Sequence, residues 1–198
     1  MPGAFPTRLP ARLLASLALL CAGLGLSPLR AETLTVSNGK RALEVTALSD
    51  TVVRVRMAAQ KGDKIQFPED ASWAVETARR AERSAKAVTT ATSLTTPALR
   101  LSVDPASLRI TVTDPAGKVI VDDEAEPWIA DGSRFTLRKR MTRSEHIFGL
   151  GDKTGALDRR GGSFVNWNTD SYGFRSSDDP IYKSVPFFIS SGGEGGAY

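Results

Sequence analysis

The sequence predicts an all-β fold, an antiparallel β-sandwich preceded by a signal peptide, and three observations carry that expectation. Short segments alternate polar and apolar side chains, the pattern of strands with one buried face. Turn chemistry punctuates them, with Asn38-Gly39 early in the chain and an Asp-Pro-Ala turn twice, at Asp104 and Asp114. The one stretch with helical propensity, Ala78 to Ala87, is rich in Ala, Arg, Glu and Lys but has no apolar stripe to bury, so it reads as a surface turn.

At 198 residues the chain holds one domain with a proper core. Apolar residues at 41% and charged residues at 24% match ordinary globular usage and exclude wholesale disorder or a polytopic membrane protein. The formal charge of +4 comes largely from Arg8, Arg12 and Arg30, which stand in a region without acids; the remainder is close to balance. No Lys/Arg stripe stands out, so nothing points to nucleic acid. Arg8 and Arg12 precede an apolar run from Leu13 to Leu26, too short to span a bilayer comfortably and of the length of a signal-peptide core. Ala31 is the small residue before the expected cut. Residues 1–31 are therefore read as a signal peptide, 32–198 as the sandwich domain, and the destination as export, periplasmic or secreted, with no membrane attachment after cleavage. Leu20 before Cys21 disfavours a lipid anchor, and the mature chain then has no cysteine for a disulfide or a thiolate.

Along the mature chain, Glu32 to Val36 alternates and runs into Ser37-Asn38-Gly39-Lys40, a strand meeting a tight hairpin whose partner is Ala42 to Leu48. Thr51 to Met57 is a third strand with Val53, Val55 and Met57 on one face. Residues 58–82 break the rhythm. It returns in Ala98 to Val103, Leu108 to Thr113 and Lys118 to Val121, three strands joined by the two Asp-Pro-Ala turns into a β-meander. Leu99, Leu101, Val103, Leu108, Ile110 and Val112 are assigned to the core, and Arg100, Ser102, Arg109, Thr111 and Thr113 to solvent. An acidic bend, Asp122 to Glu126, is expected next, then strands at Arg134 to Met141, His146 to Leu150 and Val185 to Ser190. The chain stops at Tyr198, where Gly192-Gly193-Glu194-Gly195-Gly196 should feed another strand, so the domain is expected to be incomplete at its C-terminus.

Between the last two strands lies the segment richest in Gly, Asp, Asn and aromatic residues, the composition of a functional loop on a rigid scaffold. Its centre, Trp167-Asn168-Thr169-Asp170-Ser171-Tyr172, sets a carboxylate and an amide between two amphipathic rings, a mix suited to a polyhydroxylated ligand. Asp170, Trp167 and Tyr172 are the candidate substrate-binding residues. For Asp170 two readings stand level on the residues alone, a sugar-hydroxyl acceptor and an ordinary Asx-turn. Asp178 and Asp179 read as turn residues ahead of Pro180, and His146 as a strand-edge polar residue. With one histidine and no mature cysteine there is no material for a metal site or a Ser-His-Asp arrangement, and no cofactor is expected. Gly149-x-Gly151 fails the dinucleotide pattern because Thr154 stands at the third glycine.

Phe148-Gly149-Leu150-Gly151-Asp152, then Trp167-Asn168-Thr169-Asp170, then Asp179-Pro180-Ile181-Tyr182-Lys183-Ser184-Val185-Pro186-Phe187-Phe188-Ile189 resemble, in motif and order, the N-terminal β-sandwich (galactose-mutarotase-like) region of glycoside hydrolase family 31. The family often has Glu where Asp152 stands. The resemblance implies an α-glucosidase or α-xylosidase type of parent enzyme acting on α-linked glucoside or xyloside oligosaccharides with retention. It implies that both catalytic carboxylates lie on a following (β/α)8 catalytic domain missing from this chain, so no catalytic residue is assigned here. It also implies that the sandwich reaches a loop over the barrel mouth, with Asp170 touching the sugar. The alternative reading is a freestanding carbohydrate-binding module without catalysis, and a third is a structural or interaction domain only.

Overall fold

Alternation sets the first strands. In this computed structural model, which describes residues 32–67, 69, 85–131 and 134–192, β1 (Thr33–Ser37) buries Leu34 and Val36 and turns Thr33 and Thr35 outward. Asn38 closes the hairpin: its N–H donates to the Arg41 carbonyl (3.1 Å), and its side-chain oxygen accepts from the N–H of Lys40 (3.1 Å) and Arg41 (2.9 Å). The chain returns as β2 (Arg41–Ala47), then β3 (Val53–Lys61) and the short β4 (Lys64–Ile65), giving a four-stranded antiparallel sheet in sequence order.

The second sheet is a meander of six strands. These are β5 (Val88–Thr89), β6 (Ser93–Thr95), β7 (Arg100–Val103), β8 (Ile110–Thr113), β9 (Val119–Asp131) and β10 (Arg134–Lys139), each paired antiparallel with the next. Leu34, Val36, Leu43 and Val45 of the first sheet share one apolar cluster with Leu94, Leu101, Val103, Ile110 and Val112 of the second and with Leu108 from the β7–β8 connection. Hydrogen bonds tie the sheets at their margins: Asn38 Nδ2 donates to Ala106 O (3.2 Å), Arg41 Nη1 to Trp128 O (3.0 Å) and Thr96 Oγ1 to Asp50 O (2.6 Å). Two antiparallel sheets closing on one core, with no helix among the described residues, fit the expected all-β sandwich.

The six core positions expected of the meander are buried or packed on the core, Leu99 and Leu101 included. Leu108 reaches the core from a turn, with φ of 59°, and not from a strand. The expected acidic bend does not form. Asp122 to Glu126 lie inside β9, where the charge of the two aspartates is met in place: Asp122 accepts two bonds from Arg109 Nη2 (2.6 Å each), and Asp123 accepts from Lys139 Nζ (2.6 Å) and from the N–H of Ile110 (3.0 Å), while Glu124 and Glu126 are exposed. Pro127 is tolerated in the same strand because the β9–β10 register shifts between Leu137 and Lys139, so a proline there removes no regular ladder bond. The two-residue β4 and β5 and the three-residue β6 were not expected; such lengths show no period to read. The described residues belong to one compact unit, Ala31–Tyr198. The expected signal peptide at 1–31, residues 70–84, which hold most of the expected surface turn, and the Gly-rich end from residue 193 lie outside the described residues.

Candidate functional site

The last hairpin, β11 (His146–Gly151) with β12 (Ser184–Ser191), carries the loop of residues 152–183 between its arms. Its narrow end is built by glycine. Gly149 (φ 121°), Leu150 (φ 71°) and Gly151 (φ 82°) form a run in left-handed space at a register shift. A Cβ on Gly149 would stand 2.7 Å from Phe187 O, and one on Gly151 2.6 Å from Lys183 O, so only hydrogen lets the strands close. The glycines serve the backbone, as expected from the failed dinucleotide pattern.

The loop is held from inside. The Lys153 side chain is 0% exposed, and its ammonium donates to Asp179 Oδ1 (2.8 Å) and Val165 O (2.5 Å). The other oxygen of Asp179 accepts from Val165 N–H (2.5 Å). The hydrogen bond from Lys153, then that from Val165, holds the Asp179 carboxyl below its ordinary range. Thr154 Oγ1 donates to Asp178 O (2.8 Å), and Asp178 Oδ2 accepts from Arg175 N–H (2.7 Å). The Arg159 guanidinium donates to the carbonyls of Thr154 (3.0 Å) and Ala156 (2.6 Å) and lies 5.6 Å over the Phe164 ring. Asp178 and Asp179 are thus structural, as their place before Pro180 suggested.

The central motif divides into anchors and free groups. Asn168 accepts from Ser184 N–H (2.7 Å), while Thr169 donates through its N–H to Ile181 O (3.1 Å) and through its hydroxyl to Pro180 O (3.1 Å). Trp167 is 68% exposed and Tyr172 98%. Asp170 is exposed, and no hydrogen bond or ion pair reaches its carboxylate among the described residues, so it does not close an Asx-turn. No groove described among these residues is lined by all three candidates. Trp167 lines an open groove of about 420 Å³ with Asn166, Asn168, Ser184 and Pro186, which Asp170 and Tyr172 do not line. The anchoring roles of Asn168, Thr169 and Lys153 escaped the sequence reading, because each is made by a bond to a residue at least 11 positions away.

His146 does pair at a strand edge. Its Nδ1 lies 2.7 Å from Asp158 Oδ2, and Asp158 Oδ1 accepts from the N–H of Ile147 (3.1 Å) and Arg160 (3.0 Å). The His146 bond first, then those two N–H groups, lower the Asp158 carboxyl to about 2. A carboxyl lowered in the folded state stabilises above its unfolded value, and that contribution fades as pH falls through the folded one. Urea midpoints measured from about pH 5 down to about pH 2 are therefore expected to fall more steeply for the native chain than for Asp158→Asn. Parallel profiles would remove Asp158 from the stability of the hairpin.

The structure is an antiparallel sandwich whose last hairpin bears a long, internally braced loop, and comparison with known proteins identifies the class of domain. The family model of the glycosyl hydrolase 31 N-terminal galactose mutarotase-like domain matches residues 42–198. The chain belongs to that family. It is 34% identical over 89 residues to alpha-glucosidase 2 of Bacillus thermoamyloliquefaciens, covering 41% of this chain and 11% of the relative. It is 37% identical over 62 residues to an alpha-glucosidase of Saccharolobus solfataricus, covering 31% and 9%. A family 31 dextranase of Flavobacterium johnsoniae, solved with isomaltotriose, has the same fold at TM-score 0.63 and 24% identity over 80% of this chain and 21% of that one. The cycloalternan-forming enzyme of Listeria monocytogenes, solved with a pentasaccharide substrate, matches at TM-score 0.57 and 16% identity over 81% and 16%. The chain thus spans about a tenth of the curated relatives' length.

Proposed function

We propose that this chain is the N-terminal domain of an exported, retaining α-glycoside hydrolase of α-glucosidase or α-xylosidase type, and that it supplies one wall of the sugar pocket to a catalytic (β/α)8 domain outside the chain. The observation that carries this is Asp170: an exposed carboxylate without a partner among the described residues, two positions after an anchored Asn168 and next to an anchored Thr169. A carboxylate held that way on a fixed backbone accepts hydrogen bonds from two sugar hydroxyls with little ordering cost. Trp167 and Tyr172 offer ring faces for the apolar side of a pyranose. The substrate is an α-linked gluco- or xylo-oligosaccharide. Support for the glucoside class comes from the named activities of the α-glucosidase relatives and from the isomaltotriose of the dextranase.

The bond-breaking carboxylates of a retaining glycosidase stand about 5 to 5.5 Å apart across the scissile bond. Asp178 and Asp179 are committed to the loop's own backbone and to Lys153. The expected result is that the purified chain releases no p-nitrophenol from p-nitrophenyl α-glucoside, and turnover would place catalytic groups within these residues. Calorimetry with maltose and isoprimeverose separates the second reading: heat that Asp170→Ala abolishes would favour a freestanding carbohydrate-binding module.

A further inference from the structure

A pocket of about 530 Å³ lies on the meander, lined by outward side chains of β6, β7 and β8 and by the turn that begins at Asp114. Its volume is that of a small-molecule site. None of its lining residues belongs to the β11–β12 hairpin or to the loop that the hairpin carries.

Strand register sets its chemistry. Arg100 stands opposite Thr95 on one side and Thr113 on the other, and Ser102 follows two positions along the same face. Residues directly opposite bring their Cβ atoms to about 4.5–5.5 Å, so Arg100 stands between two hydroxyls with a third alongside. Other arginines on these strands are neutralised: Arg109 meets Asp122 and Arg56 meets Glu44, each at 2.6 Å. Arg100 is exposed, and no hydrogen bond or ion pair reaches its guanidinium among the described residues; the Thr95 and Thr113 hydroxyls are equally unclaimed there. Asp114 accepts from the Lys118 N–H through Oδ1 (2.9 Å), and its Oδ2 has no partner among the described residues.

The pocket therefore offers a pure donor in Arg100, a pure acceptor in Asp114, and hydroxyls that do both. An isolated anion fits poorly, because the Asp114 carboxylate shares the wall. A neutral polyol fits, since each of its hydroxyls donates and accepts, and Leu99 and Pro115 give an apolar patch for ring C–H groups. We propose that this pocket is a second carbohydrate-binding site, for a neutral gluco-oligosaccharide, in which Arg100 and Asp114 hold ring hydroxyls and Thr95, Ser102 and Thr113 complete the contacts. The choice of sugar rests on the reading of the chain as part of an α-glycoside hydrolase; the residues that bind are independent of Asp170. Without an aromatic ring to stack on, the site is expected to bind in the millimolar range. A weak site of this kind adds to the hold on a polymer that also engages the hairpin loop.

The test is an amide-resolved NMR titration of the chain with maltotriose, with isomaltotriose and, separately, with sodium sulfate, for the native sequence, Asp170→Ala and Arg100→Ala. The Arg100 guanidinium has no partner to lose among the described residues, so its removal leaves the fold intact, which unchanged amide signals away from the pocket verify. Saturable shifts are expected at Thr95, Arg100, Ser102 and Thr113 with at least one saccharide, kept in Asp170→Ala and weakened about 10-fold or more in Arg100→Ala. No shift at these residues with either saccharide would overturn the proposal, and so would an Arg100→Ala titration matching the native one or a response to sulfate alone. Shifts confined to residues 166–172 and abolished by Asp170→Ala would support the hairpin contact and refute the second site. Shifts confined to the pocket would count for the second site and against the contact at Asp170.

Discussion

Asp123→Ala is expected to destabilise the chain by about 3 kcal/mol, read as a lower urea midpoint at unchanged slope. Asp123 is 0% exposed, yet each of its oxygens has a partner: Lys139 Nζ at 2.6 Å and the Ile110 N–H at 3.0 Å, with Arg109 Nε donating to its carbonyl at 2.9 Å. Alanine leaves the Ile110 N–H unpaired in a position where water is excluded, and that alone costs about 1–3 kcal/mol. Lys139 is 40% exposed and recovers part of its hydration, which keeps the total below that of a fully enclosed pair. Asp123→Asn, which can still accept from Ile110, is expected to cost about half as much as alanine. Equal losses for the two variants would show that the carboxylate charge opposite Lys139, and not the bond from Ile110, is what Asp123 provides.

Leu43→Ala is expected to cost about 3 kcal/mol as well, by a different route. Leu43 is 0% exposed, on a strand flanked by β1 and β3, with Val36 and Met57 as its cross-strand partners. The backbone there is paired on both sides, so the sheet cannot collapse into the cavity that the lost methyl groups leave. Leu43→Met keeps most of the volume and is expected to cost less than about 1.5 kcal/mol. Should alanine and methionine prove equally mild, the common core of the two sheets would not be what holds this domain together.

Where a single period governed the residues, the fold was legible. The Asn38-Gly39 hairpin and the meander from β7 to β9 follow from alternation and turn chemistry, which act between near neighbours. β9 was not legible as one strand, because its Asp122 and Asp123 look like a bend until Arg109, just before β8, and Lys139, of β10, are seen to neutralise them. Pro127 lies inside the same strand, and its tolerance depends on a register shift against β10 that no local pattern shows. In the loop, composition pointed to Trp167, Asp170 and Tyr172, and all three are exposed. It did not reveal that Trp167 lines a groove apart from the other two. Nor did it reveal that Lys153, 26 positions before Asp179, is the buried strut beneath the loop. Contacts of that range leave no local pattern, and the family motifs, which end at Asp152 and resume at Trp167, do not include Lys153.

The proposed function turns on one carboxylate, and one measurement addresses it most directly: kcat/KM for hydrolysis of an α-linked glucoside by the enzyme to which that proposal assigns this domain, native against Asp170→Ala. A charged hydrogen bond to a sugar hydroxyl is worth about 1.5–3 kcal/mol, so a loss of about 10- to 100-fold is expected with the melting temperature unchanged, because Asp170 has no partner to lose within the described residues. An unaltered kcat/KM would contradict the assignment of Asp170 to the sugar pocket.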